Sequence, residues 1–172
     1  FSDEVIARLI EQDVKKIYLL PMYPQYSTTT TKSSLDEFEE ALHRSGLDAV
    51  VFEVKHYYEN IKFNQAIIER IKEQMQDANY VDYDLIFSAH GLPQSIIDAG
   101  DPYERQVKLH VELLKDMIAE AGLGFHQIHL AYQSKVGPQA WLKPSLEESL
   151  KKIRNRGVII YPIAFTADTS ET

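Results

Sequence analysis

The sequence predicts an α/β protein with a doubly wound parallel sheet, and two observations predict it. Short segments rich in Ile, Val, Leu, Tyr and Phe alternate with longer segments of helical period. The connections between them are short, which favours strand–helix–strand units whose strands run parallel. The predicted strands are Lys16–Leu20, Ala49–Val54, Tyr83–Phe87, Gln127–Tyr132 and Gly157–Phe165.

The two helices in the first part of the chain are predicted from their periodicity and end signals. A helix at Ser2–Gln12 opens the chain, and a second is expected at Ser34–Arg44. Ser34 precedes Glu37 at the spacing of a capping box, in which each side chain bonds the backbone N–H of the other. Gly46 follows the last apolar residue and is placed to end the second helix.

Three further helices carry start signals. Asn60 can cap a helix in which apolar residues recur every four positions, and Asp101 precedes Pro102, a residue favoured in the first helical turn. Ser145 and Glu148 have the spacing of another capping box. The apolar residues that follow Asn60 at this period are Phe63, Ile67, Ile71 and Met75.

Composition and charge exclude several classes of protein. The net charge of −8 argues against a nucleic-acid partner. The absence of cysteine excludes disulfides, thiolate zinc sites and cysteine-ligated iron–sulfur clusters within this chain. No apolar run approaches the roughly 18 residues of a membrane span, and we expect a cytoplasmic protein without a transmembrane segment. Because the chain stops at a cap-like Ser170-Glu171-Thr172, we expect it to be part of a longer protein.

The carboxyl ends of the predicted strands gather aromatic and polar side chains. Ligands of an open parallel sheet bind outside these ends. The segments concerned are 21–31, 56–58, 88–93, 132–141 and 166–171, which supply tyrosines, a tryptophan, hydroxyls, a histidine and carboxylates. Such a set suits a flat aromatic ligand near a metal better than a phosphate, and no glycine-rich phosphate loop is present.

His90 and Glu171 are the candidate metal ligands at this edge. Both lie just past predicted strand ends and can therefore converge. An imidazole and a carboxylate without thiolate suit a divalent first-row metal, and an imidazole with a pKa near ~6.5 can also accept a proton. Each has a structural alternative: His90 can be a hydrogen-bonded residue after a strand, and Glu171 can favour a helix dipole. Four other histidines are interpreted as structural: His43, His110, His126 and His129. His56 is kept as a weaker site candidate.

Five segments, in order and at similar spacing, resemble motifs of the ferrochelatase family. They are LPMYPQYS at 20–27, FSAHGLP at 87–93, GDPY at 100–103, YQSKVGPQAWL at 132–142 and PIAFTADTSET at 162–172. The resemblance implies a lyase of haem biosynthesis that inserts ferrous iron into protoporphyrin IX or coproporphyrin and releases two protons. Porphyrin and ferrous iron would be its substrates, no cofactor would be tightly bound, and a peripheral association with a membrane is compatible with the family.

The resemblance also implies an architecture of two Rossmann-like halves with the macrocycle between them. Residues 1–48 would be the C-terminal part of a first, incomplete half, and residues 49–172 would be most of the second half. By motif position, His90 and Glu171 would be the catalytic and metal-binding pair. The implied porphyrin-binding residues are Tyr23, Tyr26, Ser27, Tyr132, Gln133 and Trp141.

The chain departs from the family pattern before the last acidic residue. It has Ala167 and Thr169 around Asp168, where the family usually has a serine and a histidine. Two alternatives stay open at this point. The first is a chelatase of the same fold that loads another metal, such as cobalt, into a different tetrapyrrole. The second is a truncated, non-catalytic module that binds a tetrapyrrole or a metal. A doubly wound domain for an unrelated small molecule is the third and most general alternative.

Overall fold

Helices and strands alternate along the computed structural model, which describes residues 2–167. The helices are α1 (Ser2–Glu11), α2 (Thr31–Ser45), α3 (Ile61–Met75), α4 (Gln94–Asp98), α5 (Tyr103–Glu120) and α6 (Leu146–Lys152). The strands are β1 (Lys16–Leu19), β2 (Val50–Glu53), β3 (Tyr83–His90), β4 (Gln127–Gln133) and β5 (Gly157–Pro162). A single 3₁₀ turn at Tyr80–Asp82 leads into β3.

The strands form two sheets, and every strand pair in the described part of the chain is parallel. β1 pairs with β2 in one sheet, while β3 lies between β4 and β5 in the other. The predicted α/β class with parallel sheets is thereby confirmed. The predicted division had grouped the strand at Ala49–Val54 with the second half, but this strand hydrogen-bonds to β1 instead. The assignment of 1–48 and 49–172 to two Rossmann-like halves stays a prediction.

Several predicted start and end signals are confirmed as local hydrogen bonds. The Asn60 side chain accepts a bond from the backbone N–H of Phe63 at 3.0 Å, and both bonds of the Ser145–Glu148 capping box are present. Gly46 ends α2 with a φ of 70°, a left-handed conformation that glycine adopts without the steric cost of a Cβ.

The predicted cap at Ser34 is wrong, because α2 begins at Thr31 and Ser34 lies inside its first turn. The backbone N–H of Lys32 already bonds the carbonyl of Ser27 at 3.1 Å, so helical bonding starts earlier than the local pattern indicates. The helix at Gln94–Asp98 was not predicted. At the strand ends, β3 extends to His90, and β5 stops at Pro162, three residues before the predicted end.

Strand β3 is the centre of the hydrophobic core. Six of its eight residues are buried, and alternate side chains on one face pack against helices α3 and α5. Each fully buried aliphatic side chain contributes roughly 1.5–3 kcal/mol, so this layer holds β3 rigidly. The contributing residues are Leu85, Phe87 and Ala89 from β3, Ile67, Ile68, Ile71 and Met75 from α3, and Val107, Val111, Leu114 and Ile118 from α5. Within residues 2–167, none of the helices has the length and apolarity that crossing a membrane requires.

Candidate functional site

A cavity of about 350 Å³ lies where the segments after β1 and β5 approach the end of β3. Its wall therefore combines residues from both sheets. Aromatic rings, hydroxyls, an amide and an imidazole face the same space. The lining residues that matter below are Tyr23, Gln25, Ser27, His90, Tyr103 and Phe165.

His90 is the last residue of β3, and backbone contacts fix its position. The hydroxyl of Tyr103 donates to the carbonyl of His90 at 2.8 Å, and the next residue, Gly91, donates its N–H to the carbonyl of Gln133 at 2.8 Å. A Cβ on Gly91 would lie 2.8 Å from that same carbonyl oxygen, so the close approach of β3 and β4 requires glycine here. The His90 ring packs edge-on against Phe165, with ring centroids 6.1 Å apart.

Asp101 binds the loop after β1 to the start of α5. Its Oδ2 accepts bonds from the Ser27 hydroxyl at 2.9 Å and from the N–H and hydroxyl of Thr28 at 2.7 and 2.6 Å. Its Oδ1 accepts from the N–H of Tyr103 at 2.9 Å. Burial alone would raise the pKa of Asp101, but these hydrogen bonds outweigh it and hold the pKa below its ordinary value. The carboxylate therefore stays charged and fixes Ser27 in the cavity wall.

A second buried network reaches the cavity through Gln25. The Gln25 Nε2 atom lies 2.8 Å from Nδ1 of His110 and 3.1 Å from the carbonyl oxygen of Ile163. The other ring nitrogen of His110 lies 2.9 Å from Oδ1 of Asn64, whose Nδ2 donates to the carbonyl of Tyr58 at 2.9 Å. Burial lowers the pKa of His110 to about 4, which keeps the imidazole neutral at physiological pH.

Three of the predicted site residues line the cavity together: Tyr23, Ser27 and His90. The Tyr23 ring packs edge-on against Phe165 at a centroid distance of 5.9 Å. Glu171, the predicted partner of His90, lies outside the described residues.

The other four predicted porphyrin-binding residues do not line this cavity. The backbone N–H of Tyr26 donates to Oε1 of Gln106 at 2.7 Å. Tyr132 is 3% exposed, and burial raises the pKa of its hydroxyl. The backbone carbonyl of Gln133 accepts from the N–H of Gly91 and so supports the turn after His90. Trp141 packs against that turn, and its Nε1 donates to the carbonyl of Val136 at 3.0 Å. Their role toward a porphyrin stays a prediction.

The remaining histidines lie apart from the cavity. Asp84, near the start of β3, accepts bonds from His126 at 2.8 Å and from His129 at 3.1 Å. The sequence did not indicate Asp84 as the partner of these histidines, because it lies more than 40 positions away from them. His56 packs against the ring of Tyr58 at 5.3 Å. Among residues 2–167, no three His, Asp or Glu side chains are grouped so that they could hold a metal ion.

The fold and the cavity define an α/β protein with a cavity at the carboxyl edge of parallel sheets, walled by aromatic, hydroxyl and imidazole groups. The ferrochelatase family model matches residues 1–172. The chain belongs to the ferrochelatase family.

Individual relatives agree with the family match. The chain is 56% identical to a ferrochelatase of Sulfurimonas denitrificans over 172 residues, all of this chain and 54% of that protein. It is 45% identical to a ferrochelatase of Nitratiruptor sp. over all of this chain and 55% of the relative. It is 46% identical to a ferrochelatase of Wolinella succinogenes over 99% of this chain and 54% of the relative. The chain thus spans about half the length of the curated relatives it matches.

Proposed function

We propose that the complete protein containing this chain is a ferrochelatase, a lyase that inserts ferrous iron into a porphyrin during haem biosynthesis. The observation that carries the proposal is the family match over the whole chain, with the motif histidine, His90, held at a strand end in the wall of a cavity. Protoporphyrin IX and coproporphyrin are the proposed tetrapyrroles, and the iron is a substrate rather than a resident cofactor.

The chemistry requires three changes at the reacting centre. Two pyrrole N–H protons leave, the water on the incoming ferrous ion is replaced, and the macrocycle bends so that its nitrogen lone pairs face the metal. The imidazole of His90 can accept a pyrrole proton or ligate the metal as it enters. The carboxylate of Glu171 would be the second metal ligand, or the group through which protons leave.

The cavity suits the reacting centre of such a substrate. At about 350 Å³ it is at the lower end of the roughly 300–1,000 Å³ of small-molecule sites, so a porphyrin would extend beyond it. The rings of Tyr23 and Phe165 offer apolar contacts to the macrocycle. The fixed hydroxyl of Ser27 and the imidazole of His90 place polar groups within the same wall.

The test is metal insertion by the complete gene product, followed as the loss of free-base porphyrin absorption under anaerobic conditions. His90→Ala should abolish insertion while porphyrin affinity changes little, because the imidazole acts on metal and protons rather than on the ring. His43→Ala, an exposed histidine of α2, is the matched control and should turn over normally. A wild-type protein without turnover, or a His90→Ala variant that keeps most of it, would reject the proposal. Cobalt offered in parallel with iron tests the alternative metal.

A further inference from the structure

Tyr103 connects the start of α5 to the backbone of His90. Its side chain lines the cavity, is 6% exposed, and donates its hydroxyl to the carbonyl of His90 at 2.8 Å. A backbone carbonyl can only accept, so the hydroxyl is the donor in this bond. Burial raises the pKa of Tyr103, which keeps the donated proton in place. Metal insertion does not require this hydroxyl as a reactant, and its role follows from the atom that it binds.

The bond holds one side of the peptide group between His90 and Gly91. The N–H of the same peptide group belongs to Gly91 and donates to the carbonyl of Gln133 on β4 at 2.8 Å. A trans peptide is planar, and its C=O and N–H point in opposite directions. The two bonds therefore fix the orientation of the peptide plane from both sides.

Strand β5 ends before it reaches the level of His90 in the sheet. Its pairing with β3 extends to Ser88, two residues before His90, and the N–H of Ile163 then donates to the carbonyl of Ser88 at 2.9 Å. Beyond this point the chain continues into the cavity wall, where Phe165 lies. The hydroxyl of Tyr103 thus bonds the end of β3 at a level where the ladder with β5 has stopped.

Tyr103 is itself held in place by its backbone and by its ring. Its N–H donates to Oδ1 of Asp101 at 2.9 Å, and the other oxygen of Asp101 accepts from Ser27 at 2.9 Å. Its ring belongs to the core that β3 forms with α3 and α5. A hydroxyl carried by a buried ring has little freedom to move, so it is a fixed donor. The carboxylate that fixes Ser27 in the cavity wall therefore also fixes the residue that binds the backbone of His90.

We propose that Tyr103 is a positioning residue for His90, because its hydroxyl holds the peptide group that follows the histidine and so keeps the imidazole in the cavity wall. This inference rests on the proposed function, in which His90 acts on the metal or the pyrrole protons. Gly91 makes such a restraint necessary, since a residue without Cβ lets the peptide plane rotate more readily. The ring of Phe165, with its centroid 6.1 Å from that of His90, bounds the imidazole itself.

The consequence is an effect on the rate of metal insertion rather than on porphyrin binding. When the hydroxyl is removed, the peptide plane can rotate and carry the Cβ atom of His90 with it. A displacement of the order of 1 Å at a reacting group can cost about a hundredfold in rate. Because β4 still holds the N–H side of the plane, we expect a smaller loss, of about tenfold in kcat.

Tyr103→Phe in the complete protein tests this, because it removes the hydroxyl and keeps the buried ring. The matched control is Ile118→Val, a buried position about 22 Å further along the same helix. Loss of one buried methylene and loss of one hydrogen bond lower stability by similar amounts, so the two melting temperatures should fall comparably.

Three quantities are measured on both variants: kcat for metal insertion, the Kd of free-base porphyrin, and the NMR signal of the His90 ring. The protein is labelled with carbon-13 at the histidine Cε1 atoms, and the His90 signal is assigned by its absence from His90→Ala. Tyr103→Phe should shift or broaden this signal and lower kcat about tenfold, with the Kd within about twofold of wild type. Ile118→Val should leave all three quantities unchanged.

An unchanged His90 signal or an unchanged kcat in Tyr103→Phe would overturn the inference, since the peptide group would then be held well enough by β4. A porphyrin affinity that falls as steeply as kcat would also overturn it, because Tyr103 would then bind the macrocycle. Equal effects in Ile118→Val would assign the loss to stability alone. Failure of the proposed function is a separate result, a wild-type protein that inserts no metal, and the NMR signal then decides by itself whether Tyr103 holds His90.

Discussion

Thr28 donates both its backbone N–H and its hydroxyl to a single oxygen of Asp101, at 2.7 and 2.6 Å. The two residues belong to different parts of the fold, since Thr28 follows β1 and Asp101 precedes α5. Ser27 adds a third bond to the same oxygen. One buried carboxylate thus fixes the loop of one sheet against the second sheet, where that loop completes the cavity wall.

Asp101→Asn is expected to destabilise the complete protein. An amide keeps the shape but loses the charge, and its nitrogen cannot accept from the three donors of Ser27 and Thr28. Hydrogen bonds to charged groups contribute roughly 1.5–3 kcal/mol each, so we expect the free energy of unfolding to fall by about 2 kcal/mol or more. The free energy of unfolding of both proteins is measured by denaturant titration. Asp98→Asn is the control and should cost little, because this exposed carboxylate accepts a hydrogen bond from the nearby Gln94 side chain on the surface. Equal, small losses in both variants would contradict a structural role for Asp101.

Gly91→Ala should move His90 out of position. The new Cβ would lie 2.8 Å from the backbone oxygen of Gln133, and that oxygen cannot move without breaking the β3–β4 pairing. Overpacking of this kind costs about 1–3 kcal/mol, and a displacement of the order of 1 Å at a reacting group can cost about a hundredfold in rate. We expect a folded protein with metal insertion reduced at least tenfold.

The matched control for this glycine is Gly124→Ala. A Cβ at Gly124 meets no atom within 4 Å, so neither stability nor turnover should change appreciably. Metal insertion and melting temperature are measured on both variants. Near-normal turnover in Gly91→Ala would show that the position of His90 does not depend on the close approach of β3 and β4.

The features that the sequence predicted correctly depend on neighbouring residues. The caps at Asn60 and Ser145 bond backbone groups three positions away, and the left-handed Gly46 follows its own helix. The alternation of strands and helices likewise results from local periodicity. Tyr23 and His90 line the same cavity, but β1 and β3 belong to different sheets, so the packing of the two sheets rather than the edge of one sheet brings them together.

The features that the sequence missed are contacts between distant segments. The pairing of β2 with β1 and the contacts of Asp84 with two histidines both depend on how elements pack. Gln25 and His110 are 85 positions apart, and neither has a local signal that identifies the other as its partner. Burial of polar groups is decided by the tertiary structure, so such networks become visible only in the fold.

The stability of the protein should fall in mild acid because of His110. Its folded-state pKa of about 4 lies below the ordinary 6.5, so the unfolded chain binds the proton more tightly. The contribution of His110 is therefore fully present above about pH 6.5 and is lost as the pH falls toward 4, by about 3 kcal/mol in total. Asp84 and Asp101 have lowered pKa values and also favour unfolding in acid.

His110→Gln separates these effects, because the variant keeps both aspartates but has no imidazole to titrate at this site. Denaturant unfolding of wild type and variant at pH 7, 5.5 and 4.5 gives the comparison. The wild-type protein should lose more stability than the variant across this range. Identical losses in the two proteins would mean that His110 accepts its proton in the folded state as readily as in the unfolded chain.

Glu171→Gln should separate chemistry from binding at the candidate site. The substitution preserves size and most hydrogen bonding but removes the negative charge that would bind the metal or pass on the pyrrole protons. We expect turnover in the complete protein to fall at least a hundredfold, while the Kd of free-base porphyrin changes less than about threefold. Glu112→Gln, an exposed position on α5 that pairs with Lys115, is the control and should leave both quantities unchanged. If porphyrin affinity falls as steeply as turnover, Glu171 positions the macrocycle, and the metal or the protons must be handled by His90 with another partner.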